Sequence, residues 1–265
     1  MPPTLETFIK PRLFAAGVSR KLAKAIPFRP HRLALDAPIV SFSFDDFPLS
    51  AAENAAPLLE AAGMRGTFYL STGLLGTVLD GKRVADAPAV RRLHAAGHEI
   101  GAHTHDHLNV QSVPVPALAE DITRNIAAIG TLTDTPTDPT VRAPISFAYP
   151  YGVTALGAKR MLAGRFAGLR GIQPGVNAGA IDLAHLRGQE LYDRTSALSD
   201  IAALLDETER RSGWLIFYTH DVVDRPSAIG CSTDYFGQTV DLVRKRGLAV
   251  QTVAATLAMI GASGG

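Results

Sequence analysis

Two kinds of apolar segment take turns along most of the chain. Short segments rich in β-branched and aromatic residues, such as APIVSFSF (37–44) and WLIFYTH (214–220), predict buried strands. Longer segments with apolar residues at helical spacing, such as VPALAEDITRNIAAIG (115–130), predict helices with one buried face. Strands that alternate with helices in this way predict a parallel sheet covered by helices.

About seven strand–helix units follow one another between residue 37 and the end of the chain. Because a sheet of this size closes readily, we predict a distorted (β/α)7-type barrel of mostly parallel strands; an open doubly wound sheet is the alternative. In the first helix, Ser50 and Glu53 have the spacing of a capping box, and Gly63 marks its end. The predicted strands are 37–44, 66–72, 98–104, 145–149, 166–172, 214–220 and 248–253, and the predicted helices are 50–63, 86–97, 115–130, 154–164, 196–213, 233–247 and 254–261.

Composition narrows the class of protein further. The 265 residues are 46% hydrophobic, enough for a sizeable core, and the net charge of +1 gives no argument for nucleic acid as a partner. A single cysteine, Cys231, excludes an intramolecular disulfide and is typical of a reducing compartment. The first thirty residues lack the apolar region of a secretory signal, so the expected location is cytoplasmic.

The N-terminal segment 1–36 is basic and differs from the predicted domain, 37–265. It carries seven Lys and Arg residues before residue 35, with apolar residues between them at roughly helical spacing. One interpretation is an amphipathic segment in peripheral contact with an anionic inner membrane. The other is a helix that packs on the outside of the core with its charges in water.

Polar clusters follow four of the predicted strands. Asp45 and Asp46 follow the strand 37–44, a His-Thr-His-Asp-His run (103–107) ends the strand 98–104, and 149–152 and 220–221 follow two more. The carboxyl ends of parallel barrel strands meet at one face, where active sites are built. Four such clusters together predict a site.

His103 and His107 have a spacing that suits a metal. At i and i+4, one turn of helix after the strand would bring both imidazoles to one face, with His105 pointing away. One carboxylate from the SFSFDD strand end would complete a His, His, Asp set. Three protein ligands leave positions open, as in catalytic metal sites.

These segments resemble a known family. FSFDDFP, GHEIGAHTHDHLNV, FAYPYG and LIFYTH are similar, in this order, to the motifs of the polysaccharide deacetylases with the NodB homology domain, carbohydrate esterase family 4, over residues 37–258. The resemblance implies a distorted barrel, a divalent metal that is usually Zn²⁺ and otherwise an ion such as Co²⁺, and hydrolysis of N-acetyl groups on N-acetylhexosamines. The resemblance implies metal ligands at Asp46, His103 and His107. It implies a general base at Asp45, a general acid at His220 and an oxyanion donor at the N–H of Tyr151. It also implies an apolar wall near Trp214, Phe217 and Tyr218, for which a place in the core is the alternative.

The chain departs from the family pattern at three points. Many members have Arg at the position of Ala148, where it orients the base, and Gly at the position of Phe47; the Trp-containing motif before the last histidine is absent. We therefore expect another arginine to hold the base. Arg170 and Arg187, both near predicted strand ends, are the candidates.

The predicted function is deacetylation of N-acetylglucosamine units in a bacterial exopolysaccharide or its lipid-linked precursor, as in a holdfast-type adhesive. Two alternatives stay open: a deacetylase of a small amide or oligosaccharide, and a catalytically silent glycan- or metal-binding module. A binding module needs neither a base nor an acid, so Asp45 and His220 favour an enzyme.

Overall fold

The structure, a computed structural model, describes residues 17, 19–134 and 146–262. Twelve strands occur among these residues. They are β1 (Pro30–Leu33), β2 (Ile39–Phe44), β3 (Thr67–Leu70), β4 (Val78–Leu79), β5 (Lys82–Arg83), β6 (Glu99–Ala102), β7 (Ser146–Ala148), β8 (Gly168–Arg170), β9 (Gly179–Asp182), β10 (Gln189–Glu190), β11 (Trp214–Thr219) and β12 (Ala249–Val250).

A curled parallel sheet forms the centre of the fold. Its strand order is β10-β11-β2-β3-β6-β7-β8, with β12 also paired to β2. The segment 183–191 joins the two edges, since the Leu186 N–H donates to the Leu169 carbonyl and the Leu191 N–H donates to the Tyr218 carbonyl, at 2.8 and 2.9 Å. The predicted distorted barrel is confirmed, and the open-sheet alternative is wrong.

Besides the helical segment 19–25, the described residues form seven helices, most of which cover the outside of the sheet. They are α1 (Ala56–Ala61), α2 (Ala87–Ala95), α3 (Val115–Leu132), α4 (Leu156–Ala163), α5 (Leu198–Arg210), α6 (Thr233–Lys245) and α7 (Val253–Met259). A π-helical turn, Ala51–Ala55, precedes α1. No helix among the described residues combines the length and the apolar character needed to cross a bilayer.

The capping box predicted at Ser50 is wrong. Its side chain makes no capping hydrogen bond, and its own backbone is helical, with φ −60° and ψ −30°. A capping side chain needs an extended backbone at that residue to reach the free N–H groups of the first turn.

Alternation along β2 separates two environments. Phe42 and Phe44 point to the helices, where the Phe44 ring stacks on Phe68 with centroids 4.6 Å apart. Ser41 and Ser43 point inward; the Ser43 hydroxyl donates to the Phe217 carbonyl at 2.7 Å. Continuing this alternation past the strand end, Asp45 is directed to the interior.

Two small antiparallel pairs were not predicted: β1 with β9, and the hairpin β4–β5. The β1 strand follows a helical segment, 19–25, that packs against α4. There the buried Lys159 ammonium donates to the carbonyls of Ala23 and Ile26, at 2.6 and 2.8 Å. Residues 1–16 and 18 of the basic segment predicted for membrane contact, 1–36, lie outside the described residues.

Candidate active site

The carboxyl ends of β2, β6, β7, β8 and β11 open into a cavity of about 300 Å³. It brings together the groups that the sequence predicted from separate strand ends. Its lining is Asp45, Asp46, Asp80, His103, His107, Tyr151, Gly152, Ile172, Tyr192, Tyr218, His220 and Ile229.

Three of the predicted metal ligands converge at this cavity. One ligand atom each of Asp46, His103 and His107 lies within 4.8 Å of the other two. The Asp46 Oδ1 atom is 3.3 Å from His103 Nε2 and 3.0 Å from His107 Nε2. All three side chains are buried or nearly so.

The donor set fits a cation. His103 Nδ1 lies 2.9 Å from the Ala148 carbonyl, which can only accept, so Nδ1 carries the proton and a neutral ring turns its Nε2 lone pair toward Asp46. The Asp46 Oδ1 atom is buried and accepts no well-directed hydrogen bond from the described residues. Lone pairs that face each other in this way need a positive ion between them. A ligand histidine that donates its other N–H to a carbonyl is typical of metal sites.

Left-handed backbone aims these side chains. Asp46 has φ 61°, which removes it from the alternation of β2 and lets adjacent Asp45 and Asp46 face one cavity in different positions. Thr104 and His107 have φ 64° and 52°. Residues 103–107 therefore form an irregular turn, and the predicted helical turn between the two histidines is wrong.

The electrostatics of Asp46 follow from the same contacts. Burial alone would raise the pKa of its carboxyl group, but hydrogen bonds and positive charge from the imidazoles of His103 and His107 outweigh burial and hold the pKa well below its ordinary value; a bound cation would stabilise the carboxylate in their place. His105 lies off this set, as predicted. Its ring Nδ1 is 2.7 Å from the Thr72 hydroxyl oxygen.

Asp45 is held by Arg170. The guanidinium donates to the Asp45 carboxylate, and it lies between the rings of Tyr69 and Tyr218, with Cζ 5.2 and 4.9 Å from their centroids. Arg170 is completely buried; burial would lower its pKa, but Asp45 outweighs burial and raises it. Arg170 is also the register partner of Ala148 across β7 and β8. The arginine thus comes from β8. It lies beside Ala148 of β7, the position at which the resembled family carries its arginine.

Arg187, the other candidate, takes a different place. Its guanidinium Nη1 donates to the Pro174 carbonyl at 2.8 Å, outside the catalytic cavity.

His220 approaches from the opposite wall. Its Nδ1 is 3.0 Å from the Ile229 carbonyl, so Nδ1 carries the proton in the neutral ring and Nε2 faces the cavity, 3.9 Å from Asp46 Oδ2. Burial lowers the pKa of His220, and Asp45 and Asp46 act in the opposite direction without reversing this shift. The imidazolium therefore gives up a proton readily.

The FAYPYG segment makes a tight turn beside His107. Tyr151 has φ 58° and ψ 9°, and its ring lies 4.5 Å from that of His107. The hydrogen bonds of the turn use the N–H groups of Gly152 and Val153, and not that of Tyr151. Gly152 is needed here twice over: its φ is +62°, and a Cβ would collide with Ile172.

Among the three aromatics of the proposed apolar wall, Tyr218 lines the cavity. Phe217 has the opposite orientation on β11 and stacks on Phe42 in the core, while Trp214 lies at the far end of the strand, its indole N–H donating to Ser41 at 2.9 Å. The core alternative therefore holds for Phe217 and Trp214.

Four residues of the lining were missed: Asp80, Ile172, Tyr192 and Ile229. Asp80 had a local signal, since Asp80-Gly81 is a typical tight-hairpin dipeptide. Ile172 is the last residue of the predicted strand 166–172, and Tyr192 and Ile229 lie in irregular segments where no periodic pattern indicates their direction.

Comparisons with known proteins agree with this geometry. Residues 33–168 match the family model described as "Polysaccharide deacetylase". A chitin deacetylase from Pestalotiopsis sp is 29% identical over 84 residues, which is 32% of this chain and 26% of that protein. The match thus spans about a quarter of that curated relative's length.

Two solved structures share the fold. A family 4 carbohydrate esterase from Streptomyces lividans, in complex with acetate, has 16% identity and a TM-score of 0.57, covering 84% of this chain and 96% of its own. A family 4 acetyl xylan esterase from Clostridium thermocellum, in complex with a cobalt ion, has 20% identity and a TM-score of 0.56, covering 84% and 92%. At these identities the likeness establishes the fold alone.

Proposed function

The chain belongs to the polysaccharide deacetylase family, and from this premise we propose that it hydrolyses N-acetyl groups on N-acetylglucosamine units of a saccharide. One observation carries the proposal: Asp45, held by Arg170, and His220 line the same cavity as the Asp46, His103 and His107 set. An amide needs both a base and an acid, because its nitrogen leaves only when protonated.

Asp45 is the proposed general base. Its carboxylate is buried, and Arg170 fixes one oxygen, so the other is available to take a proton from attacking water. His220 is the proposed general acid, with Nε2 directed into the cavity to protonate the leaving nitrogen. The Tyr151 N–H is the proposed donor to the oxygen of the acetyl carbonyl as negative charge develops on it.

Asp46, His103 and His107 would hold the divalent metal. When bound, such an ion lowers the pKa of water and polarises a carbonyl oxygen. Zn²⁺ suits two imidazoles and a carboxylate, and Co²⁺ accepts the same ligands. The identity of the metal is part of the proposal.

Acetate release from a chitin oligomer tests the activity. We expect release by the purified protein, loss with a chelator, and recovery with Zn²⁺ or Co²⁺. No release under any of these metals would favour a silent binding module. Release from acetylated xylan but not from the chitin oligomer would contradict the N-acetyl specificity.

The finer proposal is a bacterial exopolysaccharide, or its lipid-linked precursor, as substrate. It rests on the FAYPYG variant of the turn motif, which is similar to the exopolysaccharide-modifying branch of the family. Cytoplasmic residence and peripheral membrane contact through residues 1–36 belong to the same proposal. A flotation assay with anionic liposomes, with and without residues 1–30, checks the membrane contact; equal flotation would refute it.

A further inference from the structure

A second cavity, of about 370 Å³, lies along the segment 173–187. Within the described residues it shares no lining residue with the catalytic cavity. The chain nevertheless links them directly, because Ile172 lines the catalytic cavity and Gln173 lines the second one. A volume above about 300 Å³ is in the range of small-molecule pockets.

The charges lining this second cavity do not balance. Its two carboxylates already have cations: Asp182 Oδ2 lies 2.6 Å from the Lys159 ammonium, and Glu207 Oε1 accepts from Arg211 at 2.8 Å. Lys24 and Arg187 also line it, and neither makes an ion pair with a described residue. Two positive charges are thus left without a counter-ion.

The guanidinium of Arg187 is held in place with donors to spare. Nη1 donates to the Pro174 carbonyl, and the side chain packs against Gly175, whose φ of +106° is one that glycine tolerates. One hydrogen bond uses only one of the five N–H donors of a guanidinium.

His185 provides a separate observation. It is 8% exposed and lines the cavity, yet neither ring nitrogen has a hydrogen-bond partner among the described residues. Burial lowers its pKa to about 4; Lys159, Lys24 and Arg187 act in the same direction and only Asp182 opposes them. The ring is thus a neutral, unpartnered donor and acceptor in a positive potential.

We propose that this cavity binds the phosphate group of a small phosphorylated ligand. Phosphate offers several acceptor oxygens, which match the guanidinium fork of Arg187, the ammonium of Lys24 and the N–H of His185. The same chemistry belongs to a sugar phosphate, to inorganic phosphate and to a phospholipid headgroup. The inference does not depend on the proposed deacetylation.

Calorimetric titration of the full chain with inorganic phosphate and with N-acetylglucosamine 1-phosphate tests the site. We expect saturable binding that weakens about tenfold or more in both Arg187→Gln and Lys24→Gln, since each removes a charge-assisted contact. The matched control is Arg244→Gln, an exposed arginine on α6 that is paired with Asp241. Absence of binding by both probes, or equal binding in all three variants, would overturn the proposal.

The source of the phosphate follows from a comparison of probes. Tighter binding of the sugar phosphate than of inorganic phosphate indicates a saccharide ligand. Binding of phosphatidic acid vesicles that is lost in Arg187→Gln and Lys24→Gln indicates a headgroup.

An NMR titration of the histidine C–H signals locates the bound anion. Phosphate is expected to raise the pKa of His185 above about 4 by stabilising the imidazolium. The signal is assigned by its loss in His185→Asn. A His185 titration that phosphate leaves unchanged would contradict the proposed place of binding.

Discussion

Replacing Arg170 by methionine leaves the carboxylate of Asp45 buried without its cation. Arg170 is fully buried and Asp45 is 5% exposed, so water in the cavity can replace the lost interaction only in part. Removing one partner of such a pair costs on the order of 3–5 kcal/mol. We expect the free energy of unfolding, measured by urea denaturation, to fall by about that amount.

The same substitution is expected to slow catalysis more than it weakens binding. Arg170 donates to Asp45 and is itself fixed between Tyr69 and Tyr218, so its loss lets the base move. A misplacement of about 1 Å costs roughly 100-fold in rate. We expect kcat to fall by about that factor with KM and metal content little changed. Arg244→Met, at an exposed site, serves as the control.

Two double variants separate position from charge. Asp45→Asn with Arg170→Met removes both charges, which is often nearly neutral for stability, so it is expected to unfold less readily than Arg170→Met alone. Because Ala148 and Arg170 are register partners on one face of the sheet, Ala148→Arg with Arg170→Ala is expected to restore part of the lost kcat. Wild-type turnover and stability in Arg170→Met would refute the reasoning.

Three further predictions concern the metal, the turn and the response to acid. Asp46→Asn is expected to lose bound divalent metal, while Asp45→Asn is expected to keep the metal and lose turnover. Metal analysis and an acetate assay on both variants check this. The reverse result would mean that the two carboxylates have exchanged roles. Gly152→Ala, at φ +62° against Ile172, is expected to lose at least about 1 kcal/mol of unfolding free energy, part of which Ile172→Ala restores. The pKa of His185 is about 4, below its ordinary 6.5, so the unfolded chain binds more protons between these values. The contribution of neutral His185 to the free energy of unfolding is fully present above pH 6.5, and up to about 3 kcal/mol of it is lost as the pH falls toward 4. Urea unfolding at several pH values should show a smaller loss of unfolding free energy in His185→Asn.

The order of strands and helices was predictable because the barrel strands carry a strong local signal. The β2 and β11 strands are buried along their whole length, so nearly every residue is apolar or small. The β1 strand, by contrast, has only Leu33 fully buried, and β4, β5 and β10 are two residues long. Segments this short or this exposed have no period to detect.

The convergence of Asp46, His103 and His107 was predictable for a different reason: all three lie at or just after the end of a predicted strand, and the carboxyl ends of parallel strands must meet. The turn that carries His103 and His107 was not, because left-handed φ values at Thr104 and His107 have no residue-type signature. Fixed spacing along the chain was compatible with a helical turn and with the irregular turn that forms.

Strand register, and not the local sequence pattern, decides between Arg170 and Arg187 as the partner of Asp45. Both were predicted near strand ends, and no residue near either one indicates which way its side chain points. The pairing of β7 with β8 decides it, since it places Arg170 level with Ala148 and directs both into the barrel. A small side chain at 148 leaves that part of the interior to a guanidinium from the next strand. Asp45, the proposed general base, therefore keeps an arginine although the position that supplies it along the chain has changed, and Arg187 lines the second cavity instead.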